Sequence, residues 1–218
     1  MDRFNRNEYE TDGVAESAQK ILIAATELFA MNGFEAVSIK EISTKSGVNS
    51  ALVSYYFRGK KRLYEKVLES SADFFISLQD QIRKEPLGPL EKLRYYVDTI
   101  ANVQNRQPYL IHLIFRELLT PETMFEGYVR THLYKIHQFM AELVQEAIAK
   151  KEIRNDIRPT HVAFTLEGII MFYFLTKNHV RTLGNFDSGT EVEYVMQALD
   201  TYLSALKRTK RKTKPKEE

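Results

Sequence analysis

Residues 38–62 read SIKEISTKSGVNSALVSYYFRGKKR, and this stretch decides the fold. Ser38 and Glu41 have the spacing of a capping box, in which the serine hydroxyl accepts from the N–H of residue 41 and the glutamate reaches back to the N–H of residue 38. A helix therefore starts at about 39. It stops at Ser46-Gly47, where glycine takes a left-handed bend without a Cβ penalty. Asn49 then caps a third short helix running to about Tyr56. Ile42, Val48 and Val53 fall where the two short helices must pack on each other. Helix, glycine turn, helix is the pattern that inserts its second helix into a DNA groove. The face left outside on that helix, Asn49, Ser50, Ala51, Ser54 and Tyr55, is small enough for a major groove about 12 Å wide. Arg58, Lys60, Lys61 and Arg62 follow at a helix start, where cations, backbone N–H groups and the helix dipole together favour a phosphate.

Working outward, Ala18, Ile21, Leu22, Ala25, Leu28 and Phe29 have the spacing of an amphipathic helix over 15–32, with Gly33 just past its end. A fourth helix continues to about 85. All six prolines lie after residue 85, which suggests a boundary near 85–89. Beyond it, helices are expected at about 89–105, 108–118, 121–150, 159–181 and 189–207, several with a proline in the first turn. The expected fold is all-α, with about nine helices and no strand. Residues 1–14 read as a flexible arm, 15–66 as a helix-turn-helix domain with its fourth helix as connector, 86–207 as a ligand-binding and dimerisation domain, and 208–218 as a basic, disordered tail. The 159–181 segment is apolar nearly all round, which implies burial on two sides.

The runs GFEAVSIKEIS at 33–43, SGVN at 46–49 and YYFRGKKRLY at 55–64 resemble the DNA-binding domain of the tetracycline-repressor (TetR) family of bacterial transcription regulators, continuously over residues 15–66. The resemblance implies a homodimer whose N-terminal helices bind a double-stranded operator and whose C-terminal helices form the dimer interface and a small-molecule pocket. It implies phosphate contacts from Ser38 and Lys60 and base reading by the 49–55 helix. The expected DNA-contacting set is Ser38, Lys40, Asn49, Ser50, Ala51, Ser54, Tyr55, Tyr56 and Lys60. Tyr55 reads as exposed and Phe57 as core, while Tyr56 suits core and phosphate contact equally. The family usually has alanine where Ser43 stands and tyrosine where Ser54 stands.

Chemistry of other kinds finds little support. With no cysteine in 218 residues, disulfides, thiolate metal sites and thiol nucleophiles are excluded, which suits a reducing, cytoplasmic setting. The longest apolar run, residues 169–175, is far short of the roughly 20 residues a membrane span needs, and residues 1–12 lack the apolar core of a signal peptide. No pair among His112, His132, His137, His161 and His179 has the i, i+4 spacing of a helical metal site, so no metal, cofactor or catalytic residue is expected. Polar or aromatic residues embedded in apolar faces are the pocket candidates: Tyr96, His112, Arg116, Glu117, Tyr128, Glu167 and Tyr173. Their aromatic company suggests an apolar or flat effector. The alternative reading is a helical small-molecule carrier that does not read DNA. The net charge of +2 is a cancellation: residues 40–66 hold 7 cations and 2 anions, as do residues 207–218, while the rest of the chain is acidic.

Overall fold

A computed structural model describes residues 6–106, 108–119, 126–183 and 191–207. Among them nine helices follow one another: α1 (Arg6–Ala36), α2 (Ile39–Ser46), α3 (Ser50–Phe57), α4 (Lys60–Lys84), α5 (Pro89–Arg106), α6 (Pro108–Leu119), α7 (Glu126–Ala149), α8 (Pro159–Leu183) and α9 (Glu191–Leu206). The one extended pairing in the described residues is an isolated antiparallel bridge between Ile153 and Lys207. Residues 6–14, expected in a flexible arm, are helical and continue α1. The expected tail, 208–218, lies outside the described residues.

Packing divides the chain into two compact units. One comprises Met1–Ile76 with Gln104–His132, and the other Ser77–Val103 with Leu133–Glu218. In this division α6, which packs on α1, falls with the first helices, and the later part of α4 with the second unit.

In the first unit, Ile21, Ala25 and Phe29 of α1, Ile42 of α2, Val53 of α3 and Leu63, Tyr64 and Val67 of α4 form a common core. Phe29 meets the Tyr64 ring edge-on at 4.8 Å, and Phe34 approaches the same ring at 5.1 Å. Aromatic cores of this kind are costly to dismantle: truncating one such ring to alanine removes about 3–5 kcal/mol. Near its end α1 departs from helical geometry at Gly33, where φ is +82°. No basic residue of α1 itself lies in its last turn. Its terminal carbonyls are met from other helices: Arg116 of α6 donates to Met31 O and Asn32 O, and Lys60 of α4 donates to Phe34 O and Glu35 O.

The second unit is built on Ile82, Leu93, Tyr96, Val97, Phe139, Met140, Leu143, Leu166, Ile170, Val195 and Leu199. Arg83 lies 4.9 Å over the Phe139 ring and pairs with Glu142 at 2.7 Å. One side of α8 is in this core through Val162, Ala163, Leu166, Ile170, Tyr173 and Phe174. Its other side carries Phe164 (73% exposed), Phe172 (67%) and Leu175, and on α9 Tyr194 is exposed as well. The two-sided burial expected of this helix is thus only half achieved within one chain.

Candidate nucleic-acid interface

The helix-turn-helix is assembled by local hydrogen bonds that its sequence encodes. At the start of α2, the Glu41 N–H donates to Ser38 Oγ at 3.2 Å, and the Ser38 N–H and hydroxyl donate to Glu41 Oε2 at 2.7 Å each. These bonds stabilise the charged form and hold the Glu41 carboxyl below its ordinary pKa. Gly47 ends α2 at φ +68°. Asn49 Oδ1 then accepts from the Ala51 N–H at 2.8 Å and starts α3. Across the turn, the Ser43 hydroxyl donates to Val48 O at 2.6 Å, a bond that the alanine usual at this place in the resembled family cannot make. Ile42, Val48 and Val53 are buried, as their spacing required.

This frame leaves Ser50, Ala51, Ser54 and Tyr55 exposed on α3, with Asn49 at its start. Tyr55 is 76% exposed, and its ring meets the half-buried Tyr56 edge-on at 5.3 Å. Phe57 is half-buried, less enclosed than a core residue. Leu52 also stands outside, at 37% exposure, and went unnoticed in the sequence because leucine on a short helix reads as core. Its place one residue from Ala51 and three from Tyr55 is the signal that would have found it. Apolar groups so placed suit a thymine methyl. Ser38 and Lys40 are exposed at the start of α2.

Beyond α3 the chain turns through two successive positive-φ residues, Arg58 (54°) and Gly59 (108°), and enters α4. The first turn of α4 contains no acid and three cations, Lys60, Lys61 and Arg62. Positive charge at the positive end of a helix dipole is unfavourable by itself and becomes favourable when an anion binds there. Lys60, expected on a phosphate, is committed elsewhere: its Nζ donates to Phe34 O at 3.0 Å and Glu35 O at 3.3 Å and sits 4.4 Å over the Phe34 ring. The acceptors lie 25 and 26 residues away, at a helix end that needs a cation. Arg58, Lys61 and Arg62 are exposed, with Arg62 paired to Glu65 at 2.8 Å.

Comparison with known proteins agrees with this architecture. The family model for bacterial regulatory proteins of the tetR family matches residues 21–67, and that for the C-terminal domain of the HTH-type transcriptional dual regulator CecR matches residues 89–208. The transcriptional regulator RutR of Escherichia coli O157:H7 is 31% identical over 161 residues, covering 73% of this chain and 75% of RutR. The chain belongs to the TetR family. It is accordingly a DNA-binding transcriptional regulator of all-α fold. Another TetR-family relative, the transcriptional repressor NicS of Pseudomonas putida, is 25% identical over 201 residues, covering 86% of this chain and 91% of NicS. A fatty acid metabolism regulator of Clostridium perfringens has the same fold, with TM-score 0.72 at 19% identity over 88% of this chain and all of that one.

The seven pocket candidates of this TetR-family chain are divided between the two units. Arg116 and Glu117 serve the packing of the first unit: Arg116 donates to the α1 carbonyls at 3.3–3.5 Å, and buried Glu117 accepts from the Tyr64 hydroxyl. His112 on the same helix is exposed. Tyr128 lies on α7, and its side chain falls outside the described residues. Tyr96, Glu167 and Tyr173 belong to the second unit. Tyr173 is buried, 4.9 Å from the Tyr194 ring. Tyr96 is buried against Phe139 at 5.3 Å, and Glu167 pairs with His137 at 3.1 Å. Gln79 was missed in the sequence, although it interrupts an apolar stripe of α4 formed by Ala72, Phe75 and Ile82. Among the described residues no group of three or more acids and histidines could hold a metal ion, and no helix is long and apolar enough to cross a membrane.

Proposed function

We propose that the chain is a cytoplasmic homodimeric repressor that binds a pseudo-palindromic operator and releases it when a small molecule enters the C-terminal helices. The observation that carries this reading is the juxtaposition of an exposed, small-residue α3 with a cationic turn at the start of α4. Ser50, Ala51, Leu52, Ser54 and Tyr55 face the bases, while Arg58, Lys61, Arg62, Lys40, Ser38 and Tyr56 meet the sugar-phosphate backbone. Asn49 contributes at the rim, since its side-chain oxygen is engaged in the cap.

The exposed apolar face of α8, Phe164, Phe172 and Leu175, with Tyr194 of α9, supports pairing with a second copy. Two reading helices about 34–36 Å apart then match successive major grooves. Release requires an effector that binds better to the conformer whose reading helices miss that spacing, and its differential affinity sets the size of the response. No bond is made or broken in this cycle, so the reading contains no catalytic step.

Fluorescence anisotropy with labelled DNA from upstream of the chain's own gene tests the reading. A specific complex is expected, with one dimer per site and affinity falling steeply with salt. Equal binding to that DNA and to scrambled DNA at physiological salt would favour the carrier reading instead.

A further inference from the structure

The second unit contains two polar side chains, Gln79 and Tyr96, in a core that packing alone would make apolar, and a half-buried pair, Glu167 and His137, at its edge. Gln79 of α4 is 6% exposed, and its Nε2 has no hydrogen-bond partner among the described residues. The Gln79 amide approaches the hydroxyl of Tyr96 on α5, which is 2% exposed, closely enough to offset part of the rise in its pKa but outside the geometry of a formed hydrogen bond. Burial pushes that hydroxyl well above its ordinary pKa, with the charge of Glu167 adding to the rise, so the α8 carboxylate is within electrostatic reach of the same spot. Glu167 is itself half-buried, and its carboxyl is raised by desolvation and steadied by His137 of α7, whose Nδ1 lies 3.1 and 3.3 Å from the two carboxylate oxygens. His137 also edges a surface pocket that it shares with Thr160, His161, Phe164 and Thr165.

A buried donor without an acceptor destabilises the fold, so leucine at position 79 would serve packing better than glutamine does. We propose that Gln79 and Tyr96, backed by the Glu167–His137 pair, form the polar end of the effector site and bind a neutral oxygen, a carbonyl or hydroxyl, of an otherwise apolar molecule. The proposal rests on the reading of the C-terminal helices as an effector domain and adds the chemistry they select. The Gln79 N–H requires an acceptor, which a pure hydrocarbon lacks. The Glu167 carboxylate repels an anionic acceptor, which rejects a carboxylate in that place. A carbonyl takes hydrogen bonds from Gln79 and Tyr96, and a hydroxyl can in addition donate to the Tyr96 oxygen. The Phe139 ring at 5.3 Å from Tyr96 supplies an apolar wall.

The test uses the full chain and four probes of similar size: acetophenone, benzyl alcohol, toluene and benzoate, titrated by ligand-observed NMR. Acetophenone and benzyl alcohol are expected to bind about tenfold more tightly than toluene and benzoate, the effect of one buried hydrogen bond. Gln79→Leu should abolish that preference and raise the melting temperature of the free protein. Tyr96→Phe, which keeps the packing, should reduce the preference without unfolding the chain. Equal affinity for all four probes would overturn the proposal, leaving an internal water as the partner of Gln79. So would a preference that survives both substitutions, or a lower melting temperature for Gln79→Leu. Operator binding is measured on the same samples. A chain that binds operator without oxygen preference loses this site alone, and one that shows the preference but binds no operator loses the regulator reading alone.

Discussion

The Arg116 guanidinium lies directly over Gly33, so that a methyl group on Gly33 would overlap its terminal nitrogen. The arginine reaches this position because the neighbouring carbonyls of Met31 and Asn32 accept its N–H groups. Gly33 thus carries two constraints, a positive φ and a neighbour that occupies the space of a side chain. Gly33, at φ 82° and ψ 172°, occupies a region essentially reserved for glycine, so Gly33→Ala is expected to cost about 1–3 kcal/mol for the backbone conformation alone, with the collision added to it. Arg116→Ala removes the collision, so the double variant should lose less stability than the two single variants combined. Urea denaturation of the four proteins measures this, and strict additivity would show the two residues to be uncoupled.

Lys60 and Lys61 are adjacent in sequence and should separate in experiment. Lys60→Ala deprives the end of α1 of its cation and is expected to cost about 1 kcal/mol of stability. It should leave the salt dependence of operator binding nearly unchanged. Lys61→Ala should leave the melting temperature alone and lower the slope of log affinity against log salt by about 1, as for one lost phosphate contact. Salt titrations of both variants decide the matter, and the reverse pattern would place Lys60 on the phosphate.

The capping box predicts a pH signature. Ser38→Ala should cost about 1 kcal/mol, the usual loss of a serine N-cap. Because the folded state holds the Glu41 carboxyl below its ordinary value, the stability it contributes is fully present above the unfolded pKa and is lost as pH falls through the lower, folded one. The stability difference between the natural chain and Glu41→Gln should therefore be present at neutral pH and shrink on acidification through and below the ordinary carboxylate range. A difference that grows on acidification would contradict the assignment.

A charge on the outer face of α8 should act on assembly. Phe164→Glu or Phe172→Glu replaces a ring that is mostly exposed in one chain, so folding should be little affected. In a twofold interface each substitution acts twice, and dimer dissociation should strengthen about tenfold or more. Sedimentation velocity reads the assembly, and operator affinity should fall with it. An unchanged dimer would place the contact elsewhere.

The parts legible in the sequence are those governed by neighbours. Ser38 with Glu41, Gly47 and Asn49 act within four residues, and the structure shows each in its expected local role. Tyr55 is exposed, as its place on α3 implied. What escaped depends on partners that chain order conceals. Lys60 looks like any cation at a helix start until the carbonyls of Phe34 and Glu35 are seen beside it. Arg116 and Glu117 looked like pocket residues on an apolar helix, yet their partners lie at the end of α1 and on α4. Gln79 drew no notice because a single glutamine on a long amphipathic helix is ordinary. Its significance lies in what fails to meet it.

Arg58 holds a left-handed conformation, φ 54° and ψ 31°, in the turn between the reading helix and the cationic helix start. Glycine there would be easier on the backbone by about 1 kcal/mol and would lack the guanidinium. A laboratory selection for heat resistance alone should therefore drift toward glycine at position 58, yielding a sturdier protein with a weaker hold on its operator. On the proposed contact of Arg58 with the sugar-phosphate backbone, robustness and recognition pull this residue in opposite directions.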